Sequence, residues 1–415
     1  MNVDDAERGV VASPVISADL LVHRRRPAPL SRADRSPLAR WYAEVDRVSL
    51  GLILSLMAIG LLAVAVASPV GVQSLERIAG GGVTYPPLYY FWRQIFWVAT
   101  GIMILLAVAT RSKAEIKRIA FWGLIIGVIA LFAVLVVGTG AKGSVRWLGS
   151  GGFRVQPSEF LKPVFAVAVG WILSCKVEDD KLPVFALSFA LTLLIVMLLM
   201  LQTDLGQSVL YLGTWIALAF VAGLSLRSIG LAAAGGLVGV GVAYLTYDTA
   251  RRRIDSFLFG EGDTHQVDRG LDTLSNSGLI GSGPFSGTAK FRLPEAHTDF
   301  IFSVIGEEFG LIACAGILIV YVALVVRTIQ RLREERDQFV ILAGAGLILQ
   351  FTAQVFINIA VNLQIAPTKG MTLPFISYGG SSLWALSLTM GLLLALTRRN
   401  PYRASHRNAP LWNPR

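Results

Sequence analysis

The sequence is short of charge and of sulfur. Only 15% of its 415 residues are Asp, Glu, Lys or Arg, against roughly a quarter in soluble domains, and 54% are hydrophobic, which excludes an ordinary soluble globular protein. The two cysteines, Cys175 and Cys314, lie in or beside apolar runs, so there is no disulfide framework and no Cys-x-x-Cys motif for zinc or thiol chemistry. The four histidines, His23, His265, His297 and His406, show no ligand-pair spacing, which leaves a resident metal site without support. Residues 1–46 contain no apolar core of signal-peptide type, so the first hydrophobic segment reads as a retained anchor and the stretch before it as a disordered cytoplasmic tail. No internal repeat, direct or inverted, is visible, and with it the transporter signature of paired broken helices is missing.

What is present is hydrophobic length. A spanning helix uses about 20 apolar residues, and ten candidate spans occur near 48–68, 90–109, 119–137, 160–175, 182–201, 208–223, 228–247, 300–326, 338–362 and 379–397. The expected fold is an all-α polytopic membrane protein with a membrane domain over 47–399 and a short cytoplasmic tail at 400–415. The net charge of +10 is informative through its position. Arg24, Arg25, Arg26, Arg32, Arg35 and Arg40 precede the first span, Arg398, Arg399, Arg403 and Arg407 follow the last, and alternate connections are basic. The positive-inside rule then puts both termini in the cytoplasm and gives this charge a topogenic role, with no nucleic-acid partner implied. Three outer connections remain: 138–159, the large Gly-rich loop 248–299, and 363–378. Lys142, Arg146 and Arg154 sit in the first of them, on the side that should be lean in cations, which points to an anionic ligand.

Polar side chains inside apolar runs are costly, and each is either functional or a packed polar contact. Gln350, Gln354, Asn358 and Asn362 recur every fourth residue, one stripe of a helix, most simply explained as interhelical hydrogen bonding. Asp299 directly precedes an apolar run, where position alone favours a helix cap, although an ionised carboxylate there is also a competent general base. Glu307 and Glu308 lie about 12 Å further along a continuous helix, as buried hydrogen-bond anchors or as titrating groups. Glu159 and Lys162 are spaced for a local ion pair, and Gln202, Asp204 and Gln207 flank Gly206 as a turn or cap. Around Lys369, the small residues Ser377, Gly379, Gly380, Ser381 and Ser382 permit backbone approach to an anion. Together with the outer cations they suggest a mouth suited to a diphosphate.

Six strings then resemble one family together: 138–148 (GTGAKGSVRWL), 156–163 (QPSEFLKP), 202–206 (QTDLG), 293–302 (LPEAHTDFIF), 306–310 (GEEFG) and 367–382 (PTKGMTLPFISYGGSS). The chain looks like a member of the SEDS family of bacterial division, elongation and sporulation proteins. The resemblance implies ten transmembrane helices and peptidoglycan glycosyltransfer from lipid II, with release of undecaprenyl diphosphate. PTKGMTLP, with Lys369 as the discriminating residue, is similar to the division branch; the elongation branch is the alternative. There are departures: Thr203 stands where the family usually has Pro, Ser144 and Val145 precede Arg146 where a second basic residue is usual, and Ser277 replaces one of a Gly pair. On the resemblance Asp299 is the general base. Lys142, Arg146, Trp147, Arg154 and Lys369 hold diphosphate or sugar, as do Ser377 and Ser381, while Glu295 and His297 shape the acceptor site. Glu159, Lys162, Gln202, Asp204, Glu307, Glu308 and Asn358 have supporting roles. No metal ligand is implied, though a magnesium or manganese ion could accompany the lipid diphosphate. The implied partners are lipid II and the growing glycan strand, a class B penicillin-binding transpeptidase of FtsI type, and the FtsQ, FtsL, FtsB and FtsN divisome proteins. The implied location is the inner membrane at the septum. A lipid II flippase and a non-catalytic scaffold are the competing readings.

Overall fold

The computed structural model describes residues 37–78, 80, 84–141, 144–149, 154–177, 179, 181–259, 265–275, 278–367 and 370–398. A short helix, α1 (Pro37–Glu44), comes first, and the apolar helices α2 (Arg47–Ile78), α3 (Tyr89–Ala109), α4 (Lys113–Val137), α5 (Pro157–Ser174), α6 (Val184–Leu201), α7 (Leu205–Val221) and α8 (Leu226–Thr246) follow. The long loop carries α9 (Asp248–Phe259) and α10 (His265–Ser275), after which come α11 (Ile301–Arg333), α12 (Gln338–Asn362) and α13 (Gly380–Leu396). Eight of these helices are long and apolar enough to cross a bilayer, and two more, α7 and α13, are apolar but only 17 residues long, the lower limit for a span. The chain is therefore a polytopic helical membrane protein, with each candidate span on a helix.

Local chemistry sets several boundaries. Ser112 and Glu115 form a reciprocal capping box at the start of α4, Asp204 caps α7 by accepting from Gln207 N, and Asp337 caps α12 by accepting from Phe339 N at 3.1 Å. α2 runs ten residues beyond the expected boundary at 68, straight through Pro69. Its end is tied to the start of α3, because Ser68 Oγ donates to the Pro87 carbonyl at 2.7 Å and accepts from Tyr90 N at 3.2 Å. The connection 138–159 contains a two-stranded hairpin, β1 (Thr139–Ala141) against β2 (Ser144–Trp147).

The core of one half is a cluster of Leu131, Leu161, Phe165, Leu198, Tyr211, Trp215 and Leu342, contributed by α4, α5, α6, α7 and α12. A second cluster, Val66, Val70, Leu293, Ala296, Phe300, Val304 and Val361, fastens the turn before α11 to α2 and α12. At the far end of α2 and α11, Asp46 accepts from Arg327 Nη2 at 2.7 Å and Nε at 2.8 Å and from Arg331 Nη2 at 2.8 Å. Burial pushes the Asp46 carboxyl up, but the two guanidinium groups outweigh it and hold its pKa well below the usual carboxylate range.

Two departures from regular helix position the site. The segment between α12 and α13 folds down into the bundle: Tyr321 OH donates to the Pro374 carbonyl at 2.6 Å, Phe375 is buried, and Gly60 of α2 lies against the Phe375 backbone, where a side chain would collide. Irregular backbone survives at such depth because protein surrounds it. The second departure corrects the expectation of one continuous helix from residue 300. α11 is broken at Gly310, whose φ of 84° is left-handed. The peptide groups freed by the break are taken by the loop before it: Ser282 N and Gly283 N donate to the Glu307 and Glu308 carbonyls at 2.8 and 3.0 Å, while Leu311 N and Ile312 N donate to the Gly278 and Leu279 carbonyls at 3.1 and 3.2 Å. Gly310→Ala is expected to lower the thermal midpoint in detergent, since left-handed backbone alone costs an L-residue roughly 1–3 kcal/mol and the new Cβ meets the Leu279 carbonyl. Gly51→Ala, in open space on α2, is the control and leaves the midpoint unchanged.

Candidate active site

Asp299 closes the turn before the first half of α11. The cap position itself is Phe300, with no side-chain cap bond, so Asp299 stands one residue before the place that the cap reading gave it. Its main chain is held from α12. Asn358 Nδ2 donates to the Asp299 carbonyl at 2.9 Å and to the Met371 carbonyl at 2.6 Å, and Asn362 Nδ2 donates to the Asp299 carbonyl at 3.0 Å. Asn362 Oδ1 in turn accepts from Ser303 Oγ at 2.8 Å. Asn358 and Asn362 are thus the interhelical glue that the periodicity suggested, and the element they glue is the turn carrying Asp299, whereas the buried Gln350 side chain of the same stripe makes no hydrogen bond among the described residues. The carboxylate faces Gly370: Oδ2 lies 3.4 Å from the position of a Cβ there. Asn358→Leu takes the side-chain donor from the Met371 carbonyl and leaves the Asp299 carbonyl with Asn362 alone, a loss of about 1–3 kcal/mol for the unpaired group. The expected result is a kcat reduced roughly tenfold or more with KM little changed, measured on a preparation that remains folded in detergent.

A polar chain leads from the hairpin to the same loop. Arg146 Nη2 donates to the Thr203 carbonyl at 3.0 Å, and its Nε lies 3.5 Å from Asp204 Oδ2. Gln207 Nε2 and Lys162 Nζ both donate to Glu159 Oε1 at 2.8 Å, Lys162 also donates to Gln354 Oε1 at 3.2 Å, and Gln354 Nε2 reaches the Thr372 carbonyl at 3.1 Å. Glu159 and Lys162 form the expected local pair, and that pair is also the junction of four helices or loops. Arg146 is a correction. Its guanidinium is already engaged by Asp204 and Thr203, because the hairpin leans on the turn between α6 and α7, so it belongs to the scaffold and not to the cations available for diphosphate. Gln202 is likewise structural, donating to the Leu131 carbonyl at 3.0 Å.

The remaining expected residues divide. Ser377 is turned to the backbone, donating to the Thr298 carbonyl at 2.6 Å and accepting from Leu373 N at 2.8 Å, which corrects its reading as a substrate contact. Ser381 is buried in the first turn of α13, and the preceding Gly380 packs against the Trp97 indole, so the small residues there serve close packing. Trp147 is half-buried on β2, and Arg154 is exposed. Glu295 is exposed with a left-handed φ of 54°, its Oε2 accepting from Thr298 Oγ1 at 3.1 Å. His297 is buried, its ring 4.2 Å from Tyr90 and 5.6 Å from Tyr378. Desolvation pushes its pKa down to about 4 against the pull of Glu295, so the imidazole is neutral at pH 7. Lys142 and Lys369 lie outside the described residues. Among the described residues no three His, Cys, Asp or Glu side chains converge.

One residue of consequence carried no signal in the sequence. Lys290, on the 3-10 turn Ala289–Arg292, is only 1% exposed; its Nζ pairs with Glu308 and donates to the Val66 carbonyl of α2 at 3.2 Å. Glu307 beside it accepts from Ala289 N and Lys290 N at 2.7 and 2.9 Å. The two acids are therefore anchors that bind the long loop to the half-helix behind Asp299.

Residues 47–402 match the profile of the FtsW, RodA and SpoVE family, described as cell cycle proteins. The chain belongs to that family. Among curated relatives, the probable peptidoglycan glycosyltransferase FtsW of Caulobacter vibrioides is 36% identical over 372 residues, 89% of this chain and 94% of that protein. The protein of the same description from Methylomonas methanica is 30% identical over 384 residues, covering 88% and 96%. Of solved structures, the rod shape determining protein RodA of Thermus thermophilus superposes with a TM-score of 0.62 at 26% identity, over 85% of this chain and 96% of that one. A chain from a peptidoglycan synthase complex that coordinates polymerization and crosslinking gives 0.68 at 27%, over 85% and 97%. The family match begins at the first residue of α2 and runs just past α13.

Proposed function

We propose that this chain is a peptidoglycan glycosyltransferase that polymerises lipid II into glycan strands at the division septum, with Asp299 as general base. The observation that carries the reading is the double amide clamp on the Asp299 turn: a carboxylate whose main chain is fixed by Asn358 and Asn362 beside an inward-folded loop is pre-organised in the manner a catalytic base requires. In the reaction, the acceptor GlcNAc 4-hydroxyl attacks C1 of the donor sugar, its proton passes to Asp299, and undecaprenyl diphosphate departs with the C1–oxygen electron pair. Lys142, Lys369 and Arg154 are the cations assigned to the developing diphosphate charge, Arg146 being committed elsewhere. A magnesium or manganese ion would share that role with the diphosphate oxygens as its ligands. Neutral His297 and Glu295 border the acceptor side.

This reading places the Asp46 end and both termini in the bacterial cytoplasm, the Asp299 end outside the cytoplasmic membrane, and a class B penicillin-binding transpeptidase beside the helices, with FtsQ, FtsL, FtsB and FtsN as divisome partners. The test is polymerisation of purified lipid II in liposomes by the protein together with its transpeptidase. Glycan strands support the reading; lipid II moved across the bilayer without strands replaces it with a flippase, and neither product leaves a scaffold.

A further inference from the structure

The turn that carries Asp299 is held at three successive carbonyls. Tyr378 N donates to the His297 carbonyl at 2.9 Å, Ser377 Oγ donates to the Thr298 carbonyl at 2.6 Å, and the two amides of α12 hold the Asp299 carbonyl. The first two donors belong to the loop after α12, and that loop is itself fixed from the bundle. Asn358 and Gln354 of α12 donate to the Met371 and Thr372 carbonyls at 2.6 and 3.1 Å. Tyr321 OH of α11 donates to the Pro374 carbonyl at 2.6 Å, and the Phe375 backbone lies against Gly60 of α2. Three helices thus set the register of the loop, and the loop sets the register of the turn.

Ser377 is the side chain of the loop that makes this connection. A hydroxyl has one proton to donate, and a purely local role would spend it within the loop. The local turn is closed without it, because Ile376 N and Ser377 N donate to the Leu373 carbonyl at 3.1 and 3.0 Å. The Ser377 oxygen adds to that turn only as an acceptor, from Leu373 N at 2.8 Å. Its proton goes to Thr298, 79 residues away in sequence. Ser377 is buried, so water does not replace either bond freely when the hydroxyl is lost. The same loop brings Gly370 against the carboxylate, with Asp299 Oδ2 3.4 Å from the position of a Cβ there. A slip of the turn against the loop therefore moves the carboxylate relative to the backbone it faces.

We propose that Ser377 is a positioning residue for strand synthesis: its hydroxyl clamps the loop after α12 to the Asp299 turn and so fixes where the carboxylate stands. The proposal rests on the reading of Asp299 as general base. The experiment uses the full-length protein with its transpeptidase on lipid II, wild type beside Ser377→Ala and Ser387→Ala. Ser387 is a matched control, a buried serine of α13 whose hydroxyl makes no hydrogen bond among the described residues. The rate constants are read at a temperature where all three proteins stay folded. Ser377→Ala is expected to lower kcat about ten- to hundredfold with KM within about twofold, and Ser387→Ala to behave as wild type. The same change is then made on Asp299→Glu, where the carboxylate is already displaced. There the further loss is expected to shrink to about threefold or less, because the clamp acts through Asp299. An equal loss in both backgrounds marks a bond that only supports the fold and overturns the positioning role, as does Ser377→Ala with wild-type kcat. If wild type makes no strands, the glycosyltransferase reading fails and the positioning role falls with it; strands from wild type and from Ser377→Ala at equal rates overturn the positioning role alone.

Discussion

Asp299→Asn is expected to abolish strand synthesis while leaving the fold intact. The amide preserves the shape of the side chain, and the contacts that place the residue come from its carbonyl, which Asn358 and Asn362 hold whatever the side chain carries. What disappears is the ability to take the proton of the attacking hydroxyl, a contribution of about 10²–10⁴ in rate. Asp299→Glu separates basicity from placement. The carboxylate is retained but carried about one bond further from a main chain that cannot retreat, and a displacement of about 1 Å costs roughly a hundredfold. Both variants should elute as wild type and unfold at its temperature in detergent. An Asn variant that polymerises lipid II at more than about a tenth of the wild-type rate would remove Asp299 from the role of base and return it to the cap-like function that its position first suggested.

The fold was largely legible because membrane helices announce themselves by length. Every apolar run fell on a helix, and the discrepancies arose where polar chemistry extends or interrupts an apolar segment. α2 outlasts its hydrophobic stretch because Ser68 ties it to the start of α3. α11 breaks at a glycine inside an otherwise strong helical pattern, and nothing local distinguishes that glycine from Gly316, which lies in regular helix; the difference is made by a loop thirty residues upstream that supplies four hydrogen bonds. In the site, spacing predicted the pairs that are local, Glu159 with Lys162 and the Asp204 cap. It misplaced Arg146, whose partner is separated by 58 residues and approaches only when the hairpin folds onto the α6–α7 turn. Family resemblance supplied the weight on Asp299 that position alone withheld. It could not supply the partners that hold its turn, because the amide stripe reads equally well as packing or as function until its acceptors are seen.

Glu308→Gln is expected to be among the most destabilising single changes in the protein. Lys290 and Glu308 are 1% and 0% exposed, and besides the carboxylate the ammonium donates to the Val66 carbonyl at 3.2 Å. Removing the carboxylate charge leaves a buried cation without its counter-ion, a loss of roughly 3–5 kcal/mol. Lys290→Met should be nearly as costly, since it strands the carboxylate instead. Combining Lys290→Met with Glu308→Leu removes both charges of a fully buried pair, and replacing a buried pair by apolar groups is often neutral. The double variant should therefore recover most of the thermal midpoint lost by either single change, a coupling that a double-mutant cycle reads directly. Activity divides the two roles of the pair. The loop end carrying Lys290 leads within nine residues to Asp299, and the half-helix carrying Glu308 begins two residues after it, so the ion pair closes a ring of chain around the base. If the pair only stabilises, the double variant polymerises lipid II as wild type does. If its directional bond fixes the Asp299 turn, the double variant regains its midpoint and still loses kcat, because apolar packing restores energy without restoring registration.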